Sequence, residues 1–297
     1  MSLRKAVKHA LSLTAIAVAA AWLLAAPTTA HTVLRDLEYA VVEGISLRLD
    51  LYLPDPRPAD PVPLVLWVHG GAWRAGSKDR TYAPETLGES YAVASVDYRL
   101  SQEALFPAQI HDAKAAVRFL RAHADRFGLD PNRFGAWGSS AGGHLVALLG
   151  VSCGADDLEG TLGDHPDQSS CVQAVCDFFG PTDLPALLEQ RGADTRRPMP
   201  EDQLLGGPVE GLPDLAALAS PITQVDASDP PFLILHGSDD PTVPVEQSIA
   251  FDQALRAAGV DTTLIVIDDA GHGLPRVHFV HVKPWFDTRL LSRGTDS

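Results

Sequence analysis

Ser140 stands at the centre of Gly138-Ser139-Ser140-Ala141-Gly142, between the strand-like run Arg133 to Trp137 and the unbroken small and apolar run Ala141 to Leu149. A strand that turns sharply into a helix at such a pentapeptide holds its central serine exposed, and the flanking glycines let the two backbones approach. A serine hydroxyl is hardly ionised at neutral pH, so nucleophilic chemistry requires a general base within hydrogen-bond reach. The chain has 11 histidines, so location must choose among them. His272 lies in a Gly271-His272-Gly273 turn just beyond the apolar run Leu264 to Ile267. Asp240, in Asp239-Asp240-Pro241 beyond the run Phe232 to Leu235, is a carboxylate able to orient that imidazole and stabilise its protonated form. Ser139 and Asp239 are the adjacent rivals, whereas Asp268 and Asp269 lie too close to His272 in sequence and are expected to face solvent.

The other requirement of acyl chemistry is a set of N–H groups for the developing oxyanion. Val65 to Val68 runs into His69-Gly70-Gly71-Ala72-Trp73, which makes the backbone N–H groups of Gly71 and Ala72 candidates, together with that of Ala141 after the nucleophile. Trp73 is a candidate wall of the acyl pocket, with packing against Tyr98 or the excursion described below as its alternative. His69, His144 and His236 read as structural, and His111 and His123 as helix-surface residues. Asp97-Tyr98-Arg99 reads as a structural ion-pair and hydrogen-bond unit, and Asp183 as a helix cap.

The stretches LVLWVHGGAWRAGSK, VDYRLSQEALFPAQIHDAKAAVRFLRAHA, GAWGSSAGGHLVALLG and LILHGSDDPTVP resemble the α/β-hydrolases of the esterase and lipase group. They are most similar to the branch with carboxylesterases, acetyl xylan esterases and feruloyl esterases, related to the hormone-sensitive-lipase-like enzymes. The resemblance covers nearly all of the chain after its first thirty residues, and the order serine, acid, histidine is that of the fold. It implies a serine hydrolase acting on short acyl, acetyl or feruloyl esters without a metal or other cofactor, with the acid directly before Pro241. One departure is Gly-Gly-Ala-Trp where the related loop reads Gly-Gly-Gly, which adds side chains beside the acyl pocket. An amide hydrolase of the same fold, either an aryl formamidase or a dipeptidyl-type peptidase, and a non-catalytic binding protein are the alternative readings.

These residues need a scaffold. Ile45, Leu47, Leu49, Leu51 and Leu53 alternate with Ser46, Arg48, Asp50 and Tyr52, which predicts a half-buried antiparallel strand near a sheet edge, paired with Val33 to Val42. Beyond the proline-rich loop Pro54 to Pro63, continuous apolar runs at 64–68, 93–96, 134–137, 172–178, 232–235 and 264–267 predict buried parallel strands. Ile110, Ala113, Val117 and Leu120 fall at helical spacing, with Asp112, Lys114 and Arg121 on the polar side. The expected fold is α/β, a mostly parallel sheet with helices on both faces in a single domain over 31–297. The proline-rich stretch 180–230 breaks the alternation and reads as a cap-like excursion over the catalytic edge.

Residues 1–30 read as a secretory signal peptide. Arg4, Lys5 and Lys8 precede the apolar run Leu11 to Ala26, and the small residues before Ala30 suit cleavage after it. An uncleaved anchor is the alternative; no later segment is long and apolar enough to span a bilayer. The formal net charge of −15 becomes more negative on such cleavage and disfavours nucleic acid or an anionic membrane as partner. The oligomeric state is not legible. In a secreted or periplasmic setting the three cysteines predict one disulfide. Cys176 lies within an apolar run, which leaves Cys153 with Cys171 as the expected pair.

Overall fold

A computed structural model describes residues 31–192 and 199–292. Eight strands form one sheet: β1 (His31–Val42), β2 (Ile45–Pro54), β3 (Val62–Val68), β4 (Ala92–Val96), β5 (Leu129–Ser139), β6 (Ala174–Phe178), β7 (Phe232–Gly237) and β8 (Thr262–Ile267). Their spatial order is β1-β2-β4-β3-β5-β6-β7-β8. β1 pairs with β2, and β2 with β4, in antiparallel fashion; every later pairing is parallel. The apolar runs of β3, β4, β6 and β7 sit where both faces are covered and are buried at every residue. The run 264–267, expected to be buried, lies on the edge strand β8 and is only partly buried. The edge strands are the half-exposed ones, with Val41 on β1 and Val266 on β8 open to solvent.

The two-residue strand period divides the core between the faces of the sheet. On β3, Leu64, Leu66 and Val68 point into the larger core, beneath α1 (Ala108–Ala122) and α2 (Ala141–Val151). Val65 and Trp67 point the other way, into a second core with Trp137 and Phe178. Between β6 and β7 lie α3 (Leu184–Arg191), α4 (Pro200–Leu205) and α5 (Pro213–Leu218), each with a proline in its first turn, where no backbone N–H is needed. Asp183 caps α3 by accepting the Ala186 N–H at 3.0 Å, as expected. Leu184, Leu187, Leu204 and Ala216 join the larger core, so the excursion is packed onto the sheet. After β7, α6 (Glu246–Ala257) returns the chain to β8, and α7 (Val282–Phe286) covers the second core.

Two polar sides differ from the sequence expectation. Asp112 and Lys114 on α1 are fully buried, because the chain after α2 folds back over that helix. Asp112 binds Arg99 at 2.6 Å, while Lys114 and Arg118 both reach Glu159. His111 is correspondingly half-buried rather than on the surface, and His123 caps the end of α1. On β2, Asp50 is buried against Lys78 at 2.9 Å and Arg35 at 2.9 Å. Cys153 and Cys171 form a disulfide, and Cys176 is a buried free thiol on β6. Among the described residues no helix is long and apolar enough to cross a membrane. The expected signal segment 1–30, and residues 193–198 of the excursion, lie outside the described residues.

Candidate active site

The carboxyl ends of four parallel strands bring the sequence candidates together. Ser140 follows β5 with φ 55° and ψ −122°, a strained conformation for a residue with a side chain. Its N–H donates to the Phe178 carbonyl at 2.8 Å. The flanking glycines are obligatory: a Cβ on Gly138 would lie 2.2 Å from the Gly142 carbonyl oxygen, and one on Gly142 2.1 Å from that of Val68.

His272, beyond β8, places Nε2 2.9 Å from Ser140 Oγ and Nδ1 2.7 Å from Asp240 Oδ2. A carboxylate accepts only, so Nδ1 carries the proton and Nε2 is left to accept that of the serine. Asp240, beyond β7, is buried; its Oδ1 accepts the N–H groups of Thr242 at 2.8 Å and Val243 at 2.9 Å. Burial by itself would raise this carboxyl. Hydrogen bonds from His236, His272 and the Val243 N–H outweigh it and hold the group well below the usual carboxylate range. Asp239 is exposed and accepts from Ser238 Oγ, and Asp268 and Asp269 face solvent.

The segment after β3 is also strained. Gly71, Ala72 and Trp73 have φ of 127°, 55° and 56°, and the Arg74 and Ala75 N–H groups close the turn on the Gly71 carbonyl at 3.1 Å each. His69 stacks on Tyr98, with ring centroids 4.5 Å apart, and Tyr98 Oη donates to the His69 carbonyl. Ala141 opens α2, where a first-turn N–H has no intrahelical acceptor. Trp73 is 2% exposed and packs edge-on against His144, with Tyr98 in the same core.

Ala72, Trp73, Ser140, Pro181, Met199 and Val243 line a cleft of about 270 Å³. Sequence reasoning missed several of its neighbours. Met199 and an Arg191–Glu201 ion pair enter from the excursion. Phe179, at φ 44°, sets its ring edge-on to His272 with centroids 4.9 Å apart. His236 Nε2 lies 3.4 Å from Asp240 Oδ2 and donates to the Val243 carbonyl at 2.7 Å. No local motif marks these residues; long-range packing brings Phe179 to His272, whereas His236 meets Asp240 four residues on and Arg191 meets Glu201 ten residues on. Among the described residues no cluster of His, Cys, Asp and Glu is arranged to hold a metal ion.

The profile of the BD-FAE family matches residues 49–255. The chain belongs to this family. Its relatives include esterase LipC of Mycobacterium tuberculosis strain H37Rv, 34% identical over 232 residues, which cover 76% of this chain and 56% of LipC. Esterase LipQ of the same organism is 32% identical over 212 residues, 70% of this chain and 49% of LipQ. The chain thus spans about half the length of these curated relatives. A truncated carbohydrate esterase from gut microbiota superposes with a TM-score of 0.77 at 33% identity, over 90% of this chain and 99% of that one. The propionate-bound esterase Est2 of Thermogutta terrifontis gives a TM-score of 0.70 at 28% identity, over 90% and 97% of the two chains. With its sheet order, this BD-FAE member has the α/β-hydrolase fold of esterases.

Proposed function

We propose that this BD-FAE protein is a serine carboxylic-ester hydrolase working through an acyl-enzyme. The observation that carries the reading is the hydrogen-bonded line from Asp240 through His272 to Ser140, ending at the mouth of a cleft. In this reading Ser140 Oγ attacks the ester carbonyl carbon while its proton passes to His272 Nε2. The tetrahedral oxyanion is held by the N–H groups of Ala141, Ala72 and Gly71. Collapse breaks the ester C–O bond, and the alcohol leaves with the proton from His272. A water molecule then repeats the sequence on the acyl-serine and frees the acid. The steps move an acyl group and protons only, so no cofactor is required of them.

The cleft volume of about 270 Å³ and its mostly apolar walls favour a short acyl group. Likeness to a carbohydrate esterase and to a propionate-bound esterase supports acetyl and related short esters, including those on carbohydrates. Feruloyl and plant-polysaccharide esters rest on the sequence resemblance. The Cys153–Cys171 disulfide supports export, with residues 1–30 as the signal. The test is hydrolysis of acetyl, butyryl, octanoyl and feruloyl esters and acetylated xylan, with Ser140→Ala as blank. Turnover of the acetyl ester is expected to exceed that of the octanoyl ester by at least tenfold and to vanish in Ser140→Ala. Equal turnover in the variant would sink the reading.

A further inference from the structure

The catalytic sequence above gives the buried His144 no task. His144 lies one turn into α2 after Ser140, is fully buried, and donates its backbone N–H to the Ser140 carbonyl at 2.9 Å. Its ring is bonded at both nitrogens. The indole N–H of Trp73 donates to Nδ1 at 3.1 Å, and the Ala219 carbonyl lies 2.7 Å from Nε2. An indole only donates and a carbonyl only accepts, so one state satisfies both partners: a neutral ring with its proton on Nε2. Burial also pushes the imidazole down to about 4, which keeps it neutral near pH 7.

The ring therefore joins three segments: the helix behind the nucleophile, the end of the excursion after α5, and the strained turn at Gly71, Ala72 and Trp73. That turn is the part that most needs holding. Ala72 and Trp73 carry side chains at φ 55° and 56°, where an unrestrained backbone would relax. Relaxation would swing the neighbouring N–H groups away from the cleft.

We propose that His144 is a positioning residue that locks Trp73, and through it the N–H donors of Gly71 and Ala72, in the conformation that receives the oxyanion. The proposal rests on the esterase reading. His144 is absent from the cleft wall, so its influence passes through the indole hydrogen bond. A loosened donor loop weakens binding of the transition state more than of the ground state, so kcat suffers and KM does not.

The experiment compares acetyl-ester kinetics of the full chain with His144→Leu, His144→Gln, Trp73→Phe and the double variant His144→Leu with Trp73→Phe. His144→Leu is expected to lower kcat by about tenfold or more with KM within about threefold. His144→Gln keeps one acceptor and one donor and is expected to recover part of that loss. Two residues that act through one bond give non-additive losses, so the double variant should be no slower than the slower single one. A kcat for His144→Leu within twofold of wild type, or losses that multiply in the double variant, overturns the proposal. The wild-type protein supplies a readout independent of turnover and of variant folding, namely slow hydrogen exchange of the Trp73 indole proton in NMR spectra. Fast exchange there also overturns the proposal. A wild type that hydrolyses no ester but keeps this proton protected removes the esterase reading and leaves the His144 lock standing.

Discussion

Asp239 and Asp240 differ by one position, yet only Asp240 lies buried against His272 at 2.7 Å, whereas Asp239 faces water. Replacing Asp240 by Asn would turn an acceptor into a donor at His272 Nδ1. The imidazole proton would then sit on Nε2, facing Ser140, where it cannot receive the serine proton. We expect Asp240→Asn to lower kcat by about 10³- to 10⁴-fold with little change in KM, as a tautomer error does in such triads. Asp239→Asn should stay within about threefold of wild type. Steady-state kinetics on a short-chain ester at pH 7.5 decides between them, and the reverse ranking would move the acid to Asp239. At this scale the sequence was informative wherever a residue followed an apolar strand run within a few residues of glycine or proline. The meeting of Ser140, Asp240 and His272 at one edge of the sheet was legible for that reason. Phe179 was not, because its partner His272 lies 93 residues away. His236 and the Arg191–Glu201 pair meet partners four and ten residues on, but no motif marks those spacings.

Among the elements, the turn from β5 into α2 tolerates little change. A methyl group on Gly142 would lie 2.1 Å from the Val68 carbonyl oxygen and 2.6 Å from that of His69, both backbone atoms at the end of β3. The turn can admit it only by pushing β3 away, which shifts the donor segment that follows. Gly142→Ala is expected to cost at least about 100-fold in kcat, since a donor displaced by an ångström is effectively lost. Rates measured alongside circular dichroism would separate this from unfolding, and a fully active Gly142→Ala would mean that the turn is softer than its packing implies. The strands were legible because their apolar runs coincide with burial on both faces, as on β3 and β7. The polar side of α1 was misleading. Asp112 and Lys114 have the spacing of a solvated face, but they are buried against Arg99 and Glu159, which lie 13 residues before one and 45 after the other. Local periodicity records an amphipathic helix and carries no signal for a distant loop that later covers it.

For the molecule as a whole, buried carboxyls set how stability depends on pH, and two of them act in opposite senses. Asp240 is held below its ordinary value, so its contribution is present above about pH 4 and is lost as the pH falls further. Asp177 on β6 is fully buried, and burial, only partly offset by the Gly180 N–H and by His236, raises it to about 6. Its folded form keeps a proton that the unfolded chain has already lost between about pH 4 and pH 6. Stability must then fall across that interval as the pH rises, and level off above it. A shift of this size corresponds to about 3 kcal/mol. Asp177→Asn keeps an oxygen for the Gly180 N–H, now 2.9 Å from Oδ1, and cannot ionise. The variant should therefore match wild type near pH 4 and exceed it by up to about 3 kcal/mol at pH 8 in urea unfolding. Parallel stability curves would show that Asp177 remains ionised in the folded protein. The same carboxyl anchors the turn that carries Phe179 against His272 and leads into the excursion. A charge that weakens the fold at neutral pH thus sits at the turn that packs Phe179 on His272, and the variant that gains stability is expected to lose some of its rate.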